Sequence, residues 1–175
     1  MDNRLAYGNI HLRALEPDDI DLLFEWENDT SLWELSNVKQ PYSKQVLAQY
    51  MKDATKDIYE QKQVRLIVEN LEGKAVGAVD LFEFDPYHQR ACVGILIHQS
   101  GDQRKGYAHD ALCAMEDYCI NTLGIRQLYA NISEENTASI HLFEKLGYTV
   151  SGIKKQWLRT PRGWANEWLM QKFLV

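Results

Sequence analysis

Gln103-Arg104-Lys105-Gly106-Tyr107-Ala108 is the stretch on which the reading of this 175-residue chain turns. It follows an apolar strand over residues 91–97 and a short polar loop over residues 98–102. It opens an amphipathic helix whose apolar positions recur at Ala108, Ala111, Leu112, Met115, Cys119 and Leu123. A strand that turns tightly into a helix leaves the first backbone N–H groups of that helix without partners. Those donors, with the positive end of the helix dipole, make a seat for phosphate oxygens. Gly106 lets the main chain approach an anion closely, small Ala108 keeps the first turn clear, and Arg104 and Lys105 add positive charge at the mouth. The spacing is neither GxxxxGK(S/T) nor GxGxxG, which excludes the usual nucleotide fingerprints.

Residues 127–132 then read as a buried strand, and Asn136-Thr137-Ala138-Ser139-Ile140-His141-Leu142-Phe143-Glu144-Lys145-Leu146-Gly147-Tyr148 follows. In their order and separation, the two stretches resemble the paired signatures of the GNAT superfamily of N-acetyltransferases. The first is the pyrophosphate loop, (Gln/Arg)-x-x-Gly-x-(Gly/Ala). The resemblance implies an α/β (α+β) acyl-CoA N-acyltransferase fold: a mixed, mostly antiparallel central sheet of about seven strands with a splayed central parallel pair, flanked by about four helices. It also implies acetyl-CoA as co-substrate. Ile95, Leu96 and Ile97 would pair with the pantetheine arm as if it were an extra strand. Gln103, Arg104, Lys105, Gly106, Tyr107 and Ala108 would hold the diphosphate, and Asn136 and Phe143 would border the same molecule. Gly94 offers a place for the bulge that parts the strands. Asn136, at the start of its helix, suits both an N-cap and a co-substrate contact. Lys145 needs no role beyond a helix surface.

Length and composition set the frame. The chain is read as one domain, 1–175, large enough to bury roughly two-thirds of its unfolded surface. Its 45% hydrophobic content fits a packed globule and not a disordered segment. No apolar run approaches the ~20 residues that cross a bilayer. Met1-Asp2-Asn3-Arg4 is polar, so no secretory leader is expected. Cys92, Cys113 and Cys119 are an odd set without metal-ligand spacing and read as buried thiols of a reducing cytoplasm. The scattered histidines give no metal-binding pattern. Of the net charge of −6, all lies in residues 1–40, where nine acids face three bases; the remaining residues balance. A basic footprint for nucleic acid is missing. The acidic segment either attracts cations or simply keeps a surface helix soluble.

Pro17 starts a helix with Asp18 and Asp19 in its first turn, where the dipole favours acids. Helical spacing places Asp18, Asp21, Glu25 and Asp29 on a solvent face and Ile20, Leu23, Phe24 and Trp26 on the opposite one. Glu27 falls inside the apolar arc, so its carboxylate needs a partner, either an arginine or a substrate cation. Ser43 caps a second helix expected to run to about Ile58. Residues 64–68 and 74–84 form a hairpin around Gly73, and Pro86-Tyr87-His88-Gln89 turns the chain into the central strand. Residues 149–158 and 164–174 form a last hairpin around Pro161-Arg162-Gly163. Its Trp157, Trp164 and Trp168 suit core or interface anchors and make self-association as a homo-oligomer an expectation.

The reaction that the resemblance implies is direct transfer of an acetyl group to an amine. An alkylamine with pKa ~10.4 is mostly protonated at neutral pH, and reaching its neutral form costs about 4–5 kcal/mol. A carboxylate can hold the cation and relay its proton. Backbone N–H groups near Leu96 would polarise the thioester oxygen. Two positions depart from the family pattern. Phe143 stands where many relatives have a proton-donating tyrosine, and Cys92 where polyamine-acetylating relatives have a glutamate. Tyr148 and Tyr129 are the substitutes within the chain. As bases, Asp80 and Glu83 are the candidates, with Asp80, Phe82 and Phe84 expected on one strand face and Leu81, Glu83 and Asp85 on the other. An internal ion pair is the competing account of Asp80. His88 either relays protons or closes its turn. Glu27, Glu34 and Asp85 are candidate substrate-binding acids.

Residues 79–91 look similar to the matching stretch of spermidine and diamine N-acetyltransferases, which implies a small polycation as acceptor. Trp26-Glu27-Asn28-Asp29 resembles instead the first helix of ribosomal-protein N-terminal acetyltransferases. An aminoglycoside acceptor, or a domain that binds acyl-CoA without transfer, completes the alternatives.

Overall fold

Alternating and apolar runs pair into eight strands in the computed structural model, which describes residues 5–175; Met1-Asp2-Asn3-Arg4 lie outside the described residues. The strands are β1 (Ala6–Tyr7), β2 (Ile10–Ala14), β3 (Val64–Asn70), β4 (Ala75–Asp85), β5 (Arg90–Ile97), β6 (Gln127–Ser133), β7 (Thr149–Thr160) and β8 (Gly163–Phe173). They form one sheet in the order β1-β2-β3-β4-β5-β6-β8-β7. Every neighbouring pair is antiparallel except β5 and β6. The sheet is thus mixed and mostly antiparallel, with one more strand than expected.

The parallel pair is joined only at its start. Arg90, Ala91 and Cys92 pair with Gln127, Leu128 and Tyr129, and no pairing continues beyond them. Residues 93–97 of β5 remain held by β4 on their other side, and β6 follows β8. Beyond Cys92 and Tyr129 the two strands are no longer paired, which leaves backbone groups of β5 facing a gap on that side.

Among the described residues, six α-helices accompany the sheet: α1 (Ile20–Glu27), α2 (Trp33–Ser36), α3 (Lys44–Asp53), α4 (Ile58–Gln61), α5 (Tyr107–Tyr118) and α6 (Thr137–Lys145). The apolar faces of α5 and α6 bury Leu112, Met115, Ile140 and Phe143 against Leu81, Val93, Leu128 and Met170 in the larger core. On the opposite face Leu23 and Trp26 of α1 and Leu47 of α3 pack on Ile67 and Ala78 of β3 and β4. Ser43 caps α3 by accepting the Val46 N–H, as expected. The helix ends at Asp53 and not near Ile58, because Asp57 starts α4 by capping the Glu60 N–H.

Three further departures have local causes. Phe24 is exposed, with the Lys44 ammonium 5.4 Å from its ring centroid, because α3 covers the Leu23 and Trp26 side of α1. Asp19, read only as a first-turn acid, is buried: Arg13 donates to both of its oxygens at 2.7 and 2.9 Å. That pairing, through the hydrogen bond first, holds the Asp19 carboxyl below its ordinary pKa. Finally, the bulge expected at Gly94 is in β4. Glu83 has φ +51°, and the β4–β5 register breaks between Phe82 and Asp85. The extra residue reverses strand parity, so Phe84 joins Leu81 in the larger core and leaves the Asp80 face.

Candidate active site

The loop into α5 has the form that an anion seat requires. Gly106 sits at φ +82°, and a Cβ built on it would meet no atom within 4 Å, so the space above the turn is open. The first helical hydrogen bond runs from the Asp110 N–H to the Gly106 carbonyl at 3.0 Å. The N–H groups of Tyr107, Ala108 and His109 precede it in the helical ladder and are left for a ligand. Asp102, only 4% exposed, fixes the approach to this turn: it accepts from Lys74 at 2.6 Å and from Lys105 at 3.1 Å. Gln103 donates to the Ile97 carbonyl at 3.4 Å, tying the loop to the end of β5. Ile95, Leu96 and Ile97 lead along the gap to this loop, and Arg104 is exposed beside it. A thread of backbone followed by a cationic turn suits a long acyl carrier ending in a diphosphate, and the residues fit acetyl-CoA.

Across the gap, Asn136 caps α6 by accepting the Ser139 N–H at 3.2 Å. Phe143 is buried in the larger core, edge-on to Tyr148 with ring centroids 4.8 Å apart. The Tyr148 hydroxyl is buried, and burial first, with the Glu116 carboxylate adding to it, raises its pKa.

A candidate acceptor side is built on the other face of β3 and β4. Arg65 pairs with Asp80, and Asp80 with Gly94, so the three positions form a row across the strands. Arg65 holds Asp80 with two hydrogen bonds and reaches Glu27 of α1 with a third, at 2.6 Å. Burial opposes the guanidinium's charge, and Asp80, with Tyr50 and Glu27 adding to it, more than offsets that, so its pKa stands above the ordinary value. Glu27 thereby finds an arginine partner inside the chain, and Asp80 an internal ion pair. These three side chains floor a cavity of about 440 Å³ walled by Tyr42, Val46, Tyr50, Val64 and Phe82. Gly94 presents no side chain at the end of the row, and a Cβ there would meet the Phe82 ring at 3.6 Å.

At the root of the gap stand Glu83, Tyr129, Cys92 and Asn131. The Tyr129 hydroxyl donates to the Glu83 carboxylate, which is exposed. Burial first, and that bond second, raise the Tyr129 pKa. Asn131 donates to Cys92 Sγ at 3.8 Å. Burial, aided by the charge of Glu83, pushes the Cys92 thiol up to about 12, which makes it a space-filling group and not a nucleophile.

Two candidate acids are elsewhere. Glu34 is exposed on α2, and Asp85 closes the turn before β5 by accepting the His88 N–H at 2.9 Å and pairing with Arg90 at 3.4 Å. Neither lines the cavity. His98, which follows β5 directly, escaped the sequence reading. Its ring stacks on Trp26 with centroids 4.0 Å apart and planes 3° from parallel, and its Nδ1 is buried without a partner. Burial, with Arg65 adding to it, pushes its pKa down to about 4. The only signal for it was an imidazole placed between an apolar strand and the anion loop.

The family profile described as "Acetyltransferase (GNAT) domain" matches residues 9–149. The spermidine N(1)-acetyltransferase of Escherichia coli K12 is 32% identical over 144 residues, covering 82% of this chain and 75% of the relative. That of Vibrio cholerae is 26% identical over 145 residues, covering 83% and 82%. A crystal structure of a Vibrio cholerae spermidine N-acetyltransferase in complex with CoA and spermine has a TM-score of 0.84 at 23% identity, covering 95% of this chain and 96% of that one. A structure of the enzyme from the same organism described as dodecameric has a TM-score of 0.79 at 24% identity, covering 95% and 94%. At those identities the structural likeness speaks to the fold.

Proposed function

The chain belongs to the GNAT acetyltransferase family and is an acetyl-CoA-dependent N-acetyltransferase, and on that premise we propose that its acceptor is a polyamine or diamine. One observation carries this reading: Glu27, Arg65 and Asp80 floor a cavity whose walls include Val46, Val64 and Phe82, so its floor is acidic and its walls are largely apolar. An ammonium is drawn to Glu27 and Asp80, and the aliphatic and aromatic walls accommodate methylenes. The kinship with spermidine acetyltransferases supports the same class of acceptor.

Acetyl-CoA supplies the activated acyl group. The main chain of Ile95, Leu96 and Ile97 aligns its pantetheine arm, and the amides after Gly106, with Arg104 and Lys105, hold its diphosphate. Asp80, with both oxygens engaged by Arg65, keeps remaining lone pairs for the ammonium and acts as its anchor. Glu83 stands exposed beside the root of the gap, oriented by Tyr129, and takes the proton that the amine must lose. Phe143 donates nothing, so the departing thiolate draws its proton from water. The free, mostly buried cysteines agree with a reducing cytoplasm, and the exposed Trp157 and Trp164 of the β7–β8 hairpin supply apolar area for self-association.

The test is thiol release from acetyl-CoA across a panel of spermidine, diamines, aminoglycosides and peptides with free N-termini. Turnover with spermidine or a diamine at least tenfold above the other classes is expected. Preference for peptides, or tight binding of acetyl-CoA without turnover on any amine, would refute the reading.

A further inference from the structure

Resting on the polyamine reading, we propose that Arg65 sets the charge capacity of the acceptor cavity, so that it admits one ammonium and keeps the next positive charge of the substrate beyond its mouth. Glu27 and Asp80 are the two carboxylates that line the cavity, and Arg65 is the one cation among its lining residues. The guanidinium is bound to both acids, at 2.6 Å to Glu27 and at 2.8 and 3.0 Å to Asp80. Three fixed charges of this kind sum to one negative charge. A first ammonium neutralises the floor; a second within the same walls would meet Val46, Leu47, Val64, Leu81 and Phe82 and no further acid.

The position of Arg65 makes this a property of the fold. It occupies the register place directly opposite Asp80, its side chain is 23% exposed, and it lies 5.8 Å over the Tyr50 ring. A cation so held cannot swing out to make room, so the second ammonium must be separated from the first by enough methylenes to reach solvent. Chain length between the charges, and not total charge, then governs acceptance.

The experiment measures kcat/KM for α,ω-diamines of two to five carbons and for spermidine, with the intact chain and with Arg65→Gln, Arg65→Lys and Glu27→Gln. For the unaltered protein, kcat/KM rises with the spacing between charges. Arg65→Gln, with a floor of two negative charges, improves the shortest diamines relative to the longest by about tenfold, whereas Arg65→Lys keeps the original length profile. Glu27→Gln leaves no net charge on the floor and raises KM for every amine by about tenfold with the length order kept; it decides the matter alone if Arg65→Gln does not fold. An unchanged profile in a folded Arg65→Gln, an equal flattening in Arg65→Lys, or an unaltered KM in Glu27→Gln would overturn the role of Arg65 while leaving the polyamine reading in place. Absence of turnover by the unaltered protein on the whole series would overturn both.

Discussion

Arg65 and Asp80 face each other across the β3–β4 ladder and share two hydrogen bonds, Nε to Oδ1 at 2.8 Å and Nη2 to Oδ2 at 3.0 Å. The pair binds two adjacent strands, and through Glu27 it also ties α1 to the sheet. It is therefore at once part of the scaffold and the floor of the cavity proposed to take the acceptor. Asp80→Asn removes one charge and one bidentate contact but leaves Arg65 bonded to Glu27. Because both side chains are partly exposed, the expected cost is about 1–3 kcal/mol, below that of a fully buried pair. Denaturant unfolding reads the stability loss. Amine kinetics should show KM for the acceptor raised about tenfold or more, with KM for acetyl-CoA within twofold of the original.

The proposed roles of Glu83 as base and Tyr129 as its positioning partner rest on the hydrogen bond between them and can be tested separately. Glu83→Gln should lower kcat by about 10²–10³-fold, within the range that a general base contributes. Tyr129→Phe leaves the carboxylate in place without its donor and should lower kcat by about three- to tenfold. If the tyrosine acts through the glutamate, the double variant falls no further than Glu83→Gln alone. Full additivity would assign Tyr129 an independent role, and a fully active Glu83→Gln would move the base elsewhere.

Gly106→Ala tests the anion seat. A Cβ there has open space around it but must adopt φ +82°, which costs an L-residue about 1–2 kcal/mol. The turn should relax away from that angle and carry the amides of Tyr107 and Ala108 with it. KM for acetyl-CoA is expected to rise about tenfold with kcat for bound substrates nearly kept. A retained KM would mean that the diphosphate is held elsewhere.

How far the sequence sufficed depended on how local each signal was. The Gly106 turn and the Asn136 cap are contained within a few residues, and both form as read. Glu27 visibly needed a partner, and an arginine was one of the two offered. Which arginine was not readable, because Arg65 lies 38 residues on and reaches Glu27 only through the stacking of α1 on β3. The parity of β4 failed at Glu83 because a bulge inserts one residue without any glycine or proline to announce it. Asp19 was read only as a first-turn acid, and its pairing with Arg13, on the strand that precedes the turn, was not anticipated. In each case a local pattern was legible, and the contact between elements was not.

His98 offers the sharpest pH test. Stacked on Trp26 and desolvated, it has its folded-state pKa pushed down to about 4, whereas an unfolded histidine titrates near 6.5. Between those values the unfolded chain binds a proton that the native state refuses, so stability rises with pH. The contribution is absent above about pH 7 and builds as a penalty while pH falls toward 4, reaching at most roughly 3 kcal/mol. His98→Phe preserves a flat ring against Trp26 and removes the titration. Unfolding free energies measured from pH 4 to 8 should therefore slope less steeply in His98→Phe than in the unaltered chain, the two curves converging in slope above pH 7. Parallel curves across the whole range would show that the imidazole protonates in place, and that the stack with Trp26 does not exclude its charge.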